Sequence, residues 1–177
     1  TTTELNLADF FRANNMSYDA VPVETGSEAV TNYLAGACDV FTTDRSALAA
    51  RRANFEVPTD HVVLPEIISK EPLGPLVRHG DHDWGDVVRW TLNALITAEE
   101  LGVTSANLEA MAKGSPDTPE MNRLLGSEGN LGEQLGLHAE WAKRAIAVSG
   151  NYGEIFENNI GAGTIIGLAR GVNAKWT

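Results

Sequence analysis

The chain has 177 residues, with 24 acidic and 13 basic side chains and a formal net charge of -11. This balance excludes a surface built to neutralise nucleic-acid phosphates, because such a surface needs clustered lysine and arginine, so no nucleic-acid partner is expected. Hydrophobic residues make up 43% of the sequence and charged residues 21%, which predicts a chain that folds around an ordinary core.

The first third of the sequence alternates between helix and strand signals. Capping residues and helical spacing of apolar residues predict three helices, over residues 2–14, 27–36 and 45–54. Apolar alternation and β-rich runs predict three strands, over residues 18–24, 39–43 and 61–69. This order predicts an α/β fold, an open parallel sheet with flanking helices. No strand precedes the first helix, so we expect one strand of this lobe to be missing from the chain.

The pattern changes after residue 69. Two prolines and a glycine between residues 70 and 75 predict a connection between two lobes. Residues 76–78 are a short candidate strand. Helical patterns then follow at residues 83–101, 104–111, 138–149 and 152–159, with a loop region predicted over residues 114–130.

The three threonines that begin the chain are the first candidate binding residues. Backbone N–H groups at a helix N-terminus, together with the hydroxyls of Thr1, Thr2 and Thr3, favour a carboxylate or phosphate. Threonines before a helix also serve as simple caps, and the sequence alone leaves both interpretations open.

Thr43 and Asp44 are the second candidate pair. They follow a predicted strand, and in open α/β sheets ligands bind at the carboxyl ends of the strands, where a carboxylate can receive an ammonium group. Asp44 is equally suited to cap the helix that begins at Arg45. The two features together match the carboxylate and amine of a free amino acid better than either does alone.

Other titratable groups give no case for catalysis or metal binding. The cluster from His79 to Asp83 is crowded into five residues and lacks a third partner at a fixed spacing, so we interpret it as a polar turn that caps the next helix. No nucleophile, zinc-protease or nucleotide-loop motif is present, and we expect neither an enzyme nor a cofactor. Arg45, Arg51 and Arg52 are interpreted as a solvated helix face.

Five longer stretches are the most distinctive part of the sequence: TTTELNLADFFRANN (1–15), GACDVFTTDRSAL (36–48), HVVLPEIISKEPLGPLVRHGDHDW (61–84), LLGSEGNLGEQLGL (124–137) and GNYGEIFENNIG (150–161). Together they closely resemble the periplasmic substrate-binding proteins of general L-amino-acid ABC transporters. The resemblance covers nearly the whole chain and is specific, because several long motifs occur in the family's order.

The resemblance implies a periplasmic-binding-protein type II-like fold, in which two α/β lobes clamp a ligand between them. By this comparison the chain is the second half only, an incomplete two-lobed architecture. Residues 1–68 correspond to lobe two without its first strand, and residues 69–177 to the returning part of lobe one with a helical C-terminal tail. Cys38 corresponds to a half-cystine of the family whose partner lies in the missing strand.

The resemblance also implies roles for the candidate residues. Thr1 and Thr2, with Thr3 beside them, match positions that bind the ligand's α-carboxylate. Asp44 matches the acid that receives the α-ammonium, and Thr43 borders the side-chain pocket. The family binds a free L-amino acid in the periplasm, closes its lobes around it and delivers it to the membrane permease of an ABC transporter.

Two other functions stay open from the residues themselves. One is an enzyme on a similar two-lobed scaffold, such as an amino-acid dehydratase, which needs a general acid or base that we cannot name. The other is an interaction module without a ligand. The exposed sheet edge left by a missing strand also leads us to expect self-association.

Overall fold

The computed structural model of the chain describes residues 2–70, 72–113 and 118–175. These residues form nine α-helices and two short 3-10 helices. The α-helices are, in chain order, α1 (Thr2–Ala13), α2 (Gly26–Leu34), α3 (Arg45–Ala53), α4 (His82–Glu100), α5 (Leu108–Met111), α6 (Pro119–Leu125), α7 (Leu131–Gln134), α8 (Trp141–Ser149) and α9 (Tyr152–Asn159). The 3-10 helices are Pro58–Asp60 and Gly171–Asn173.

The predicted open sheet is wrong for this structure. None of the described residues forms a strand, and the segments predicted as strands are non-helical chain without ladder hydrogen bonds. Their apolar side chains are largely exposed, 64% for Val40 and 75% for Val62. Alternating apolar residues indicate that a segment can be a strand, but a strand forms only where a second segment pairs with its backbone. These segments have no such neighbour within the described residues.

The chain divides into two compact units, an N-terminal unit, Thr1–Leu73, and a C-terminal unit, Gly74–Thr177. The N-terminal unit contains α1 to α3, and Ala49 is the fully buried apolar residue among its described positions. Cys38 is half-buried there with a free thiol. The assignment of residues 1–68 and 69–177 to parts of two lobes stays a prediction, as does the family's pairing of Cys38.

The start of α2 shows how local chemistry sets a helix boundary in the N-terminal unit. The Thr25 hydroxyl accepts a hydrogen bond from the Glu28 backbone N–H at 3.2 Å, and the Glu28 carboxylate accepts one from the Thr25 backbone N–H at 3.1 Å. This capping box satisfies two backbone donors that a helix start leaves without partners. It places the start of α2 at Gly26, one residue before Ser27, where the sequence pattern had predicted its first residue.

The C-terminal unit contains the larger apolar core. Helix α4 packs against α8 and α9, and α8 also packs against α5 and α6. The buried core residues come from four helices and the turn after α4: Leu95, Ala98, Val103, Leu108, Leu125 and Ile146. Because these side chains come from distant parts of the sequence, the hydrophobic effect at this core holds the helices of the unit together.

A polar network fastens the turn after α4 to the start of α9. The buried Asn151 donates from Nδ2 to the Val103 carbonyl at 2.7 Å, and its Oδ1 accepts from the Glu154 backbone N–H at 2.9 Å. The Glu154 carboxylate accepts from the backbone N–H groups of Asn151, at 2.8 Å, and Ser105, at 3.0 Å, and from the Ser105 hydroxyl. Burial by itself raises the pKa of Glu154, but these hydrogen bonds together outweigh it and lower the pKa.

We expect Glu154→Gln to destabilise the chain by about 1–2 kcal/mol at neutral pH, because an amide cannot accept all of these hydrogen bonds. A lowered pKa means that the carboxylate's contribution is fully present above the ordinary value of 4.5 and is lost as the pH falls through the folded-state value below it. Urea unfolding of both proteins between pH 3 and pH 7 measures this as a difference that shrinks in acid. A difference that stays constant with pH would contradict the prediction, and Glu128→Gln, an exposed site, is the control.

Gly126, which ends α6, is required both by its backbone conformation and by its neighbour. Its φ is 81°, in the left-handed region, and a Cβ built on it would lie 2.4 Å from the Ala139 carbonyl oxygen. Gly136 has a similar φ of 69°, but a Cβ there would meet nothing within 4 Å. The two positions therefore separate the cost of conformation from the cost of contact.

We expect Gly136→Ala to cost about 1 kcal/mol, the ordinary penalty for a left-handed alanine. Gly126→Ala should cost about 2–4 kcal/mol, because backbone must also move to admit the methyl group. Urea unfolding followed by circular dichroism measures both. Equal losses at the two sites would show that the contact with Ala139 carries no weight.

Candidate functional site

The predicted threonine site lies at the start of α1. Thr2 is the first residue of this 12-residue helix and is exposed, Thr3 follows and is half-buried, and Thr1 lies outside the described residues. The first backbone N–H groups of a helix lack partners within it and carry the positive end of the helix dipole. Thr2 and Thr3 therefore combine hydroxyl and backbone donors at a point that favours a negatively charged group.

The second predicted pair lies at the start of α3. Thr43 is half-buried, and Asp44 is the exposed N-cap residue of the helix. The Asp44 side chain makes no capping hydrogen bond. The structure thus places Asp44 where a cap is expected but leaves its carboxylate oxygens unused by the helix that follows.

Asp44 differs in this respect from the N-cap residues of α2, α4 and α9, whereas the N-cap residues of α5 to α8 likewise make no side-chain capping bond. The Asp81 carboxylate accepts from the Trp84 backbone N–H at 3.2 Å at the start of α4, while Thr25 and Asn151 take part in capping boxes at α2 and α9. The missing bond is therefore common among the N-caps of this chain, and the role of Asp44 in ligand binding stays a prediction.

The predicted threonine site and the Thr43–Asp44 pair belong to the same unit but to the starts of different helices. Among the described residues, no hydrogen bond or ion pair joins Thr2 or Thr3 to Thr43 or Asp44. Chemically, the start of α1 suits a carboxylate and Asp44 suits an ammonium group. These are the two charged groups that every free α-amino acid carries.

Arg51 supports the segment that carries Thr43. This role of Arg51 was not predicted from the sequence. Its guanidinium carbon lies 5.9 Å from the centroid of the Phe41 ring, two residues before Thr43, and the Arg51 side chain is half-buried. It also lies against Gly26 at the start of α2, where a Cβ would come 2.3 Å from Nη2. The prediction of a solvated arginine face is therefore wrong for Arg51. Nothing local in the sequence reports this contact, because its partners are 10 and 25 residues away.

The stretch from His79 to Asp83 contains the N-cap residue of α4. As predicted, it is a polar turn that caps the helix, but the capping residue is Asp81, one residue before α4 begins at His82. In the part of the chain that the structure describes, no group of three or more histidine, cysteine or acidic side chains is placed to hold a metal ion. Nor does any helix formed by the described residues have the length and apolar character needed to cross a bilayer.

Two of three comparisons with known proteins found relatives of the chain. No protein-family model matches the chain. It is 60% identical over 177 residues to the glutamate/glutamine/aspartate/asparagine-binding protein BztA of Rhodobacter capsulatus, covering 100% of this chain and 52% of that protein. It is 54% identical over 178 residues to the general L-amino acid-binding periplasmic protein AapJ of Rhizobium johnstonii, covering 99% of this chain and 52% of that protein.

A solved structure gives the same result. The chain superimposes with a TM-score of 0.89 and 54% identity on an ABC transporter / periplasmic binding protein from Brucella ovis with glutathione bound, covering 99% of this chain and 55% of that one. The chain spans about half the length of the relatives that it matches.

Over its full length the chain is thus homologous to about half of a periplasmic amino-acid-binding protein of ABC transporters, and the resemblance stated from the sequence is confirmed. The relatives are named as binding proteins, in agreement with the prediction that the chain is not an enzyme.

A pair of substitutions tests whether Asp44 acts as a structural cap. Thr25→Ala removes the hydroxyl that accepts the Glu28 backbone N–H in the capping box, and we expect it to cost about 1 kcal/mol of unfolding free energy. Asp44→Ala removes no capping hydrogen bond, and only the weak attraction of an exposed carboxylate to the helix dipole is lost, about 0.5 kcal/mol or less. Chemical denaturation of the three proteins at one pH measures both effects. A loss for Asp44→Ala as large as that for Thr25→Ala would mean that Asp44 is kept as a cap.

Proposed function

We propose that this protein binds free L-amino acids for uptake by an ABC transporter. The observation that carries the proposal is the identity of 60% along the whole chain to a relative named for binding glutamate, glutamine, aspartate and asparagine. The uncapped, exposed carboxylate of Asp44 supports it, because it leaves an anionic group available to an incoming ammonium.

The proposed roles follow from the chemistry of each helix start. Asp44 receives the α-ammonium group of the ligand. Thr2 and Thr3, with Thr1 before them, receive the α-carboxylate through hydroxyl and backbone N–H donors at the start of α1. Thr43, half-buried beside Asp44, contacts the ligand's side chain. No bond is made or broken, and specificity rests on the match between the two charged groups of the ligand and these two helix starts.

A second class of ligand is favoured by the solved relative with glutathione bound. Glutathione is a peptide in which the side-chain carboxyl group of glutamate forms an amide, so its first residue keeps a free α-ammonium and a free α-carboxylate. A site that recognises these two groups accepts both glutamine-type amino acids and γ-glutamyl peptides, provided that the side-chain end is not enclosed. We infer that γ-glutamyl peptides are ligands of the same site.

The transport role belongs to the whole protein. We propose a periplasmic location, closure of two lobes around the ligand, and recognition of the closed form by a membrane permease. Binding energy selects the closed state because some contacts exist only when both lobes touch the ligand. The names of the relatives support this role, since they describe periplasmic binding proteins and an ABC transporter.

Self-association is also proposed, but the reason is now exposed apolar surface and not a sheet edge. The described residues contain no sheet edge, so edge pairing no longer supports it. The N-terminal unit exposes large apolar side chains instead, including Val21 at 51%, Val40 at 64% and Leu64 at 60%. Exposed apolar surface of this kind favours association with another surface.

Calorimetric titration with glutamate, glutamine, aspartate, asparagine and glutathione tests the ligand proposal, with sedimentation of the same sample reporting self-association. We expect saturable binding that Asp44→Ala weakens about 10- to 100-fold, because a charge-assisted hydrogen bond is lost. Asp19→Ala removes another exposed carboxylate of the same unit and should leave affinity unchanged. Glutamine with its α-carboxyl group amidated should bind weakly to every variant.

Three failures are distinguishable in this experiment. A folded chain that binds none of the five ligands would overturn the proposed function for this chain. Binding that Asp44→Ala leaves intact would keep the function but reject Asp44 as the ammonium site. Binding of amino acids without glutathione would reject the γ-glutamyl extension alone.

A further inference from the structure

The last part of the C-terminal unit, residues 161–175, follows α9 as a strap of turns, non-helical chain and one 3-10 helix. From Thr164 to Arg170 its residues alternate strictly between half-buried and exposed positions: Thr164, Ile166, Leu168 and Arg170 are half-buried, whereas Ile165, Gly167 and Ala169 are exposed. None of its apolar residues belongs to the core around Leu95 and Ile146 or to the side chains packed directly on it.

The hydrogen bonds of the strap are almost all local. Leu168 donates to the Ile160 carbonyl at 2.9 Å, Thr164 closes a turn with Gly161, and the 3-10 helix Gly171–Asn173 is internally bonded. Arg170 is the exception. Among the described residues of the strap, its side chain alone makes hydrogen bonds to a distant helix.

Arg170 makes a concentrated set of contacts. Its Nη1 and Nη2 lie 3.0 Å from the two carboxylate oxygens of Glu99 on α4, a bidentate pair, and both side chains are largely shielded, at 18% and 16% exposure. The guanidinium carbon lies 5.4 Å from the ring centroid of Tyr152 and 5.1 Å from that of Phe156, both on α9. Bidentate geometry and aromatic stacking are the two interactions that arginine makes and lysine does not reproduce.

Arg170 also makes hydrogen bonds within the strap itself. Arg170 donates from Nε and Nη2 to the Asn173 carbonyl, at 3.1 and 2.7 Å. Helix α9 leaves room for the Arg170–Glu99 ion pair at the buried Gly153. A Cβ at this position would lie 2.7 Å from Glu99 Oε1 and 2.9 Å from Arg170 Nη1. One guanidinium group thus joins α4, α9 and the end of the strap.

We propose that Arg170 is a latch, and that residues 161–175 open as one unit when it is released while the core of α4, α6, α8 and α9 stays folded. Local hydrogen bonding within the strap, its absence from the apolar core and its single polar connection to α4 give it a separate opening equilibrium. Opening uncovers the Glu99 carboxylate and the rings of Tyr152 and Phe156 that Arg170 contacts.

Hydrogen exchange of the full chain tests the latch, read at single amides by mass spectrometry with fragmentation of the peptides that cover residues 161–175 and the core positions 103 and 150. We expect Glu99→Gln to accelerate exchange at the amides of Leu168, Asn173 and Ala174 at least about tenfold. The substitution removes the carboxylate that pairs with Arg170 and leaves its guanidinium charge without a partner in the closed strap. Exchange at Val103 and Gly150, whose amides are bonded within the core, should be unchanged. Glu109→Gln breaks an exposed ion pair with Lys143 and should leave the strap as it is.

Arg170→Lys is the second variant, because it keeps the charge and removes the bidentate and stacking contacts. It should accelerate exchange of the strap as Glu99→Gln does. Acceleration of strap and core amides by the same factor would show that the strap opens only with the whole unit, and the latch would be rejected. Unchanged strap exchange in both variants would reject it equally.

Discussion

The close approach of α4 to α8 is the constraint on which the C-terminal unit depends. Fully or nearly fully buried alanines lie on both helices, at Ala94 and Ala98 of α4 and at Ala142 of α8, and small side chains allow helices to pack at short distance. Leu95 and Ile146 fill the core beside them. Around this pair, the Asn151 network joins the turn after α4 to the start of α9, Gly126 lies against the segment before α8, and Arg170 joins the strap to α4.

The candidate ligand site is organised on a different principle. It lies in the unit with little buried core, and it consists of helix starts whose donors and acceptors are not fully used by the helices themselves. Asp44 shows this most clearly, because its position is that of a cap and its carboxylate does not cap. A binding protein needs such unsatisfied groups, since a ligand can gain only interactions that the protein has not already made within itself.

How much could be predicted depended on the range of the interactions involved. Helices α1, α3, α4 and α9 follow from local spacing and lie within one or two residues of their predicted ends. Helix α6 was missed inside a predicted loop, although Thr118, Pro119 and Gly126 are a helix start and stop in the usual order. The sheet failed for a physical reason: the residues at 39–43 and 61–69 favour extended structure, but pairing requires a second backbone that their own sequence does not supply.

The sequence by itself determined the family, the helix boundaries set by capping residues, and the two helix starts proposed to bind an amino acid. These depend on residue type and on neighbours a few positions away. Only the tertiary structure showed that Asp44 makes no capping bond, that Arg51 contacts Phe41, and that Arg170 reaches Glu99 across 71 residues of sequence. Contacts at such separations leave no periodic trace in the chain, because they arise from packing and not from local conformation.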